Sequence, residues 1–191
     1  SFELSTPAQL AGLMEICSGR ANQSQGIAQD LFKGKTVKLT ADLDMGGVQA
    51  SDGTWSGPNW VPFGSSKYTC WQGTFDGDGH TISNLYCDAK RVAGFFGAIG
   101  GNAVVKNLVI GNGCIKSTGT AGAITGQAYE KAIILNCGNY ATITSTGNNV
   151  GGIVGNTANT CYLGNCFNAG AVTGNNYIGG VAGTGICKMK N

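Results

Sequence analysis

The chain predicts an all-β fold: a right-handed, single-stranded parallel β-helix with coils of ~29 residues and a short N-terminal capping helix. Three observations carry this prediction. The first is a template of small, small, apolar, variable, Gly. It occurs as Ala93-Gly94-Phe95-Phe96-Gly97, Gly122-Ala123-Ile124-Thr125-Gly126, Gly151-Gly152-Ile153-Val154-Gly155 and Gly179-Gly180-Val181-Ala182-Gly183, with closing glycines 29, 29 and 28 residues apart. The second is that Asn107, Asn136 and Asn165 each follow the closing glycine by ten residues. The third is composition. Of 191 residues 33 are Gly and only 3 are Pro, and the segments between glycines are short and rich in Val, Ile and Thr, without a 3.6-residue period. A fixed period with strand-like segments describes coils that bury their apolar faces only against their neighbours.

The elements follow in chain order. Residues 1–35 form the cap and lead-in. Thr6 is an N-cap, Pro7 sits at the first helical position, and Gln9 completes a capping box. Leu10, Leu13, Met14 and Cys17 then share one face, and Gly19 stops the helix. Such a helix covers a first coil whose sheet edge would otherwise be open. The β-helix occupies 36–191. Thr36-Val37-Lys38-Leu39-Thr40 alternates as a strand, and Thr74-Phe75 and Thr81-Ile82-Ser83 flank the turn Asp76-Gly77-Asp78-Gly79. Residues at about 46–70 carry Trp55, Trp60 and Tyr68 among Gly and Ser and read as an insertion lying on the first coils.

Aligned on the glycines, the repeats form columns. Val105, Ile134 and Leu163 make one, Leu108, Cys137 and Cys166 a second, and Cys114, Ile143 and Val172 a third. Each coil has room for three short strands and their corners. Like residues in register imply parallel strands stacked ~4.8 Å apart. The column Asn107, Asn136, Asn165 then forms an amide ladder along the axis, and Asn84-Leu85 resembles its members closely enough to start it. Gly97, Gly126, Gly155 and Gly183 provide positive φ and close backbone approach at the corners.

Eight cysteines in a secreted chain suggest disulfides. Cys114, Cys137 and Cys166 replace aliphatic residues, however, and are expected to be reduced core thiols. Cys161 and Cys187 follow equivalent glycines and are the best candidate disulfide.

The leader Thr36–Asp44, Trp60-Val61-Pro62-Phe63-Gly64 and Gly73–Leu85 resembles that of bacterial GLUG-motif surface proteins. The later Asn-Cys and Val-Gly-Gly-Ile-Val-Gly segments resemble the GLUG repeats themselves. This resemblance implies a secreted or wall-attached bacterial protein, large, multi-modular and adhesive. Similar repeats also occur in bacterial IgA peptidases, outside the catalytic domain. No catalytic motif carries over.

Net charge is +2, but residues 1–88 hold nine acids against five Lys/Arg, and residues 89–191 hold seven Lys/Arg against Glu130. The basic residues are scattered singly, unlike a nucleic-acid footprint. No apolar run approaches the ~18 residues of a membrane span. The chain opens directly on structured sequence, as a mature or excised fragment does.

His80 is the sole histidine. With Asp76 or Asp78 it could make a catalytic pair, yet Asp-Gly-Asp-Gly reads more simply as a turn. It also lacks the third ligand and distal Glu of a calcium loop. A carbohydrate-active β-helix needs paired carboxylates, drawn here from Asp42, Asp44, Asp52, Asp76, Asp78 or Asp88. Trp55, Trp60, Tyr68 and Trp71 offer a sugar-stacking platform as the binding alternative, although packing onto the solenoid is the plainer role. The threonines form no ladder of the kind ice binding requires.

The expectation is a non-catalytic scaffold or adhesive module at the bacterial cell surface. It has no cofactor or metal, and its partner is a host or cell-surface protein or a glycan. Past Gly183 only Gly185-Ile186-Cys187-Lys188-Met189-Lys190-Asn191 remains, with no cap. An open coil of this kind favours continuation of the chain or association with another molecule.

Overall fold

The computed structural model describes residues 1–190, apart from the side chains of Asn159 and Ile186; Asn191 lies outside the described residues. The molecule is a parallel β-solenoid of about four coils with two short helices at its N-terminal end. Each full coil has five short pairing segments, not three. The first wall stacks Phe2–Leu4, Thr36–Leu39, Thr74–Asp76, Val104–Lys106 and Ile133–Leu135. The second stacks Leu43–Asp44, Thr81–Ser83, Val109–Ile110, Gly138–Asn139 and Phe167–Asn168. The third runs from Leu85–Ala89 to Val172–Thr173 and the fourth from Val92–Ala93 to Asn176–Gly179. The fifth contains Phe96–Ile99 and Thr125–Ala128. Val154–Gly164 and Ala182–Lys190 run from the fifth wall into the first and join the two into one nine-stranded sheet. Shorter strands suit this chain, because a glycine or asparagine interrupts it every few residues.

Columns run through the stack as parallel pairing requires. Val37, Phe75, Val105, Ile134 and Leu163 are successive partners and all are buried. Asn136 Nδ2 donates to Asn107 Oδ1 at 3.0 Å, and Asn165 Nδ2 donates to Asn136 Oδ1 at 3.1 Å. These three asparagines have φ of 53°, 51° and 50°. The left-handed corner residue is thus Asn, which tolerates αL, while the closing glycines Gly97, Gly126, Gly155 and Gly183 have no positive φ. Those glycines serve close approach instead: a Cβ on Gly97 would lie 2.0 Å from Gly64 O, and one on Gly155 2.5 Å from Thr120 Cγ2.

Three further expectations need correction. Asn84 shares the left-handed conformation, at φ 55°, but not the column. It sits between the second and third walls and donates to Asp44 at 3.0 Å, while the ladder starts at Asp76, which accepts from Asn107 at 3.0 Å. Cys114 is displaced too. One extra residue between Ile110 and Ile115 puts Ile115 in register with Cys87 and Ile143, and Cys114 with Tyr86 and Thr142. Side chains alternate across a strand, so Cys87 takes the lumen position and Cys114 is buried on the opposite face.

Nor does the segment at about 46–70 simply lie on the coils. A hairpin, Val48–Gln49 with Trp55–Ser56, projects from it, while Asn59, Phe63 and Trp71 bridge in parallel to Tyr86, Phe96 and Ile99. The remainder of the segment is the wall of the first coil.

The helix Pro7–Ser18 has the expected capping box and ends at Gly19, φ 74°. Leu10, Leu13, Met14 and Cys17 are buried in the core cluster. Two features were not legible. A second helix, Arg20–Gln25, follows directly, and Phe2–Leu4 precedes the cap as an additional rung paired with Thr36–Leu39. The helix therefore covers the lumen but leaves the outer edge of Phe2–Leu4 unpaired among the described residues.

Asn136 contributes both ladder bonds and a left-handed backbone. Asn136→Ala should cost about 2 kcal/mol and Asn136→Gly, which keeps αL, about half as much. Urea unfolding of the two variants measures the difference, and equal losses would exclude the conformational contribution.

Candidate functional site

The proposed aromatic platform does not form. Trp71 is fully buried between Phe32 and Phe96, with ring centroids 5.1 and 5.2 Å away. Trp60 is buried on Phe95 at 5.5 Å and donates its indole N–H to Phe95 O at 2.9 Å. Trp55 is buried in the hairpin. Only Tyr68 is open to solvent, at 76% exposure, with the Lys67 ammonium 4.9 Å from its ring centroid. The wide first coils need large apolar groups to fill them, and the tryptophans meet that need. Solvent-facing aromatics lie instead on the later coils, where Tyr140 and Phe167 meet edge to face at 5.5 Å. Phe167 lies over Gly138, where a Cβ would come within 2.4 Å of its ring. Sequence reading passed over this pair, because its two members occupy different positions in the repeat.

The carboxylates gather on the first coils, where hydrogen bonds or ion pairs already occupy Asp42, Asp44, Asp52, Asp76 and Asp78 but not the side chain of Asp88. His80 Nδ1 lies 3.2 Å from Asp42 Oδ1, so its partner is Asp42, not Asp76 or Asp78. Asp42 also accepts from the Thr81 N–H at 2.8 Å, and this bond, with His80, holds its carboxyl below the usual range. Asn84 and the Gly46 N–H do the same for Asp44, and Thr54 does so for Asp52. Burial works against Asp76, but the Asp78 N–H, Asn107 and Lys106 together hold it down. Lys106 pairs with Asp76 at 3.1 Å and Lys38 with Asp78 at 2.8 Å. A glycosidic general acid needs a carboxyl pushed up toward neutrality. Asp42, Asp44, Asp52 and Asp76 are all shifted the other way. Among the described residues no group of three or more His, Cys, Asp or Glu could hold a metal ion.

All eight cysteines are free. Cys161 and Cys187 are opposite partners on adjacent parallel strands, yet both remain thiols. Their side chains leave the strands in the same direction, which does not suit a bridge. Burial pushes Cys17 and Cys87 up to about 12. Cys137 and Cys166 occupy neighbouring coils, and each thiol donates to a backbone carbonyl, Cys137 to Leu135 O at 3.2 Å and Cys166 to Gly164 O at 3.3 Å. The neighbouring Cys166 thiol and burial push Cys137 well up, and the neighbouring Cys137 thiol pulls Cys166 down. Cys166 also lines an open cavity of about 260 Å³ at the C-terminal end, with Leu163, Val181, Met189 and Lys190.

No protein-family model matches the chain. Over 154 residues it is 32% identical to Halomucin from Haloquadratum walsbyi, a match that covers 78% of this chain and 1% of that protein. Its backbone is similar to the crystal structure of a candidate immunoglobulin A1 protease from Bacteroides ovatus. The TM-score is 0.64 at 20% identity, over 98% of this chain and 63% of that one. The chain thus spans about a hundredth of the first relative and somewhat under two thirds of the second. At this identity the second likeness is one of fold.

The thiol geometry predicts selective chemistry. Of the two stacked thiols, Cys166 should be alkylated by iodoacetamide before Cys137 as pH rises, because it is the less deeply buried and is shifted down while Cys137 is shifted up. Cys137→Val should move the Cys166 onset upward, because the thiolate loses its polar thiol neighbour. Peptide mass spectrometry of a pH series reads both outcomes.

Proposed function

We propose that this chain is a non-catalytic scaffold module of a large secreted or wall-attached bacterial surface protein, an adhesin in the broad sense. One observation carries the reading: the polar side chains that could do chemistry are occupied in holding coil to coil. Asp42, Asp44 and Asp76 accept from backbone or amide groups of neighbouring coils, and the asparagines bond to one another. The solenoid fold, the GLUG-like template and the small share of Halomucin that the chain matches support a repeated unit in a much larger protein. No helix among the described residues is long and apolar enough to cross a membrane.

A second reading rests on Tyr140 and Phe167, an exposed aromatic pair of the kind that stacks on sugar rings. It assigns the adhesive contact to a glycan on the later coils rather than to the tryptophans.

Incubation with immunoglobulin A1 and with a polysaccharide panel should yield no cleavage, and His80→Ala should alter only stability. Cleavage that disappears in both His80→Ala and Asp42→Ala would overturn the non-catalytic reading. A glycan array separates the two binding readings: retention of a glycan by the wild type and its loss in Phe167→Ala, with unchanged melting, would select the second.

A further inference from the structure

Residues 59–65 of the first coil face the corner 88–92 of the second across an open groove of about 310 Å³. Val61, Pro62, Ala89 and Val92 give it an apolar lining, and Asp88, Lys90 and Arg91 are exposed along its solenoid side. Both sides are fixed to the coils. Asn59 clamps the Asp88 peptide: its Oδ1 accepts from the Asp88 N–H at 2.7 Å, and its Nδ2 donates to Asp88 O at 3.4 Å. The Trp60 N–H donates to Tyr86 O at 2.7 Å. Across the groove, Lys90 O accepts from the Thr118 hydroxyl and Arg91 O from the Thr120 N–H. Lys90 and Arg91 are the one adjacent pair in an otherwise single scatter of basic residues. On the next coil Thr118-Gly119 takes their place, since Ala89 is in register with Ser117 and Val92 with Thr120. The basic pair thus stands where the repeat uses Thr and Gly, and where the first coil faces it. Lys116 of the next coil is in register with Asp88. Among the described residues none of these four charged side chains has an ion-pair partner. Three cations and one carboxylate share the corner, and its balance is positive.

We propose that this groove binds an acidic saccharide through a hexuronate-type ring. The ring carboxylate meets Lys90 and Arg91, ring hydroxyls donate to the Asp88 carboxylate, and an aliphatic ring face lies over Val61 and Pro62. Three observations select this ligand. The groove is at the small end of ligand sites, which run from ~300 to 1,000 Å³, and so suits a single ring. Its charge favours an anion. Its open carboxylate, set beside cations, calls for a ligand that brings hydroxyl donors and a negative charge together, as a hydroxy-acid ring does. A peptide read through its main chain needs backbone partners. Here the carbonyls of Asp88, Lys90 and Arg91 and the Asp88 N–H are already taken, so this side of the groove offers side chains. The site lies on other coils than Tyr140 and Phe167. It adds a ligand class to the adhesive reading without depending on that pair.

Isothermal titration of the chain with trigalacturonate, with the same trisaccharide carboxyl-reduced to its neutral form, and with a hexaglutamate peptide tests the assignment. Trigalacturonate should bind with a dissociation constant of about 0.1–1 mM, and the other two about 10-fold more weakly or worse. Lys90→Thr combined with Arg91→Gly installs the corner of the next coil, so the fold should be kept while binding falls about 10-fold or more. Arg91→Gln alone, a change at one exposed side chain, should weaken binding about fivefold with unchanged melting. Asp88→Ala should weaken it about threefold, whereas attraction by charge alone would grow when the acid is removed. Phe167→Ala should leave the affinity as it is. The inference is overturned by an absence of binding at about 10 mM trigalacturonate. Equal binding of the neutral trisaccharide or of the peptide also overturns it, as does tighter binding by Asp88→Ala. Loss of binding in Phe167→Ala with Arg91→Gln unaffected would overturn it in favour of the aromatic pair.

Discussion

Everything in this molecule depends on each coil lying in register on the one before it. A short parallel strand buries little by itself, and two to five residues of it make only a few hydrogen bonds. The rung is stable because the same column positions recur, every 28 or 29 residues through the regular coils, so each apolar side chain lands on another. The asparagine corner fixes this register. It turns the chain in a left-handed conformation at modest cost, and its amide bonds to the amide above and below. A second, shorter ladder reinforces it where Asn139, fully buried, donates to Asn168 at 2.7 Å and bonds the backbone of Ala141. Asn139 occupies a lumen column filled by Leu43, Ile82 and Ile110 on earlier coils. It is tolerated there because every bond that burial would otherwise leave unmade is satisfied.

The lumen changes character along the axis. Near the cap it is aromatic: Phe75, Phe95 and Phe96 meet at 4.7–5.7 Å, and Trp71 closes over them. Toward the C-terminal end it holds Ile, Val, Ala and Cys. Beyond Thr36–Leu39 and Leu43–Asp44 the first coil is a longer, irregular segment that meets the next coil through single bridges at Asn59, Phe63 and Trp71. Rings fill the lumen there with few rotatable bonds. This is why tryptophans that look available in sequence are structural in fact.

What sequence revealed and what it hid follow the same physics. Periodic features were legible: the coil, the glycine and asparagine columns, the capping box, and the lumen positions of Val105, Ile134, Leu163, Cys137 and Cys166. Features that break the period were not. One extra residue near Gly111-Asn112-Gly113 shifted Cys114 off its column, since a fixed offset cannot follow a bulge. Gly111 and Gly113 mark the place, as Cβ atoms there would meet Ser83 Oγ at 2.6 Å and Leu85 O at 2.7 Å. Asn84 misled for a related reason: its local conformation is that of the ladder residues, but its wall is different. The His80–Asp42 pair lay 38 residues apart in sequence, and only stacking of the first two coils brings it together.

A solenoid whose polar groups are committed to holding its own coils has few places left at which to act. Its walls are satisfied sheets, and the Asp42, Asp44, Asp52 and Asp76 carboxylates are taken up by hydrogen bonds. What remains on the described surface includes exposed aromatics, of which Tyr140 and Phe167 meet edge to face on neighbouring coils. An aromatic face held on a satisfied sheet can accept an apolar or sugar surface without disturbing the register beneath it.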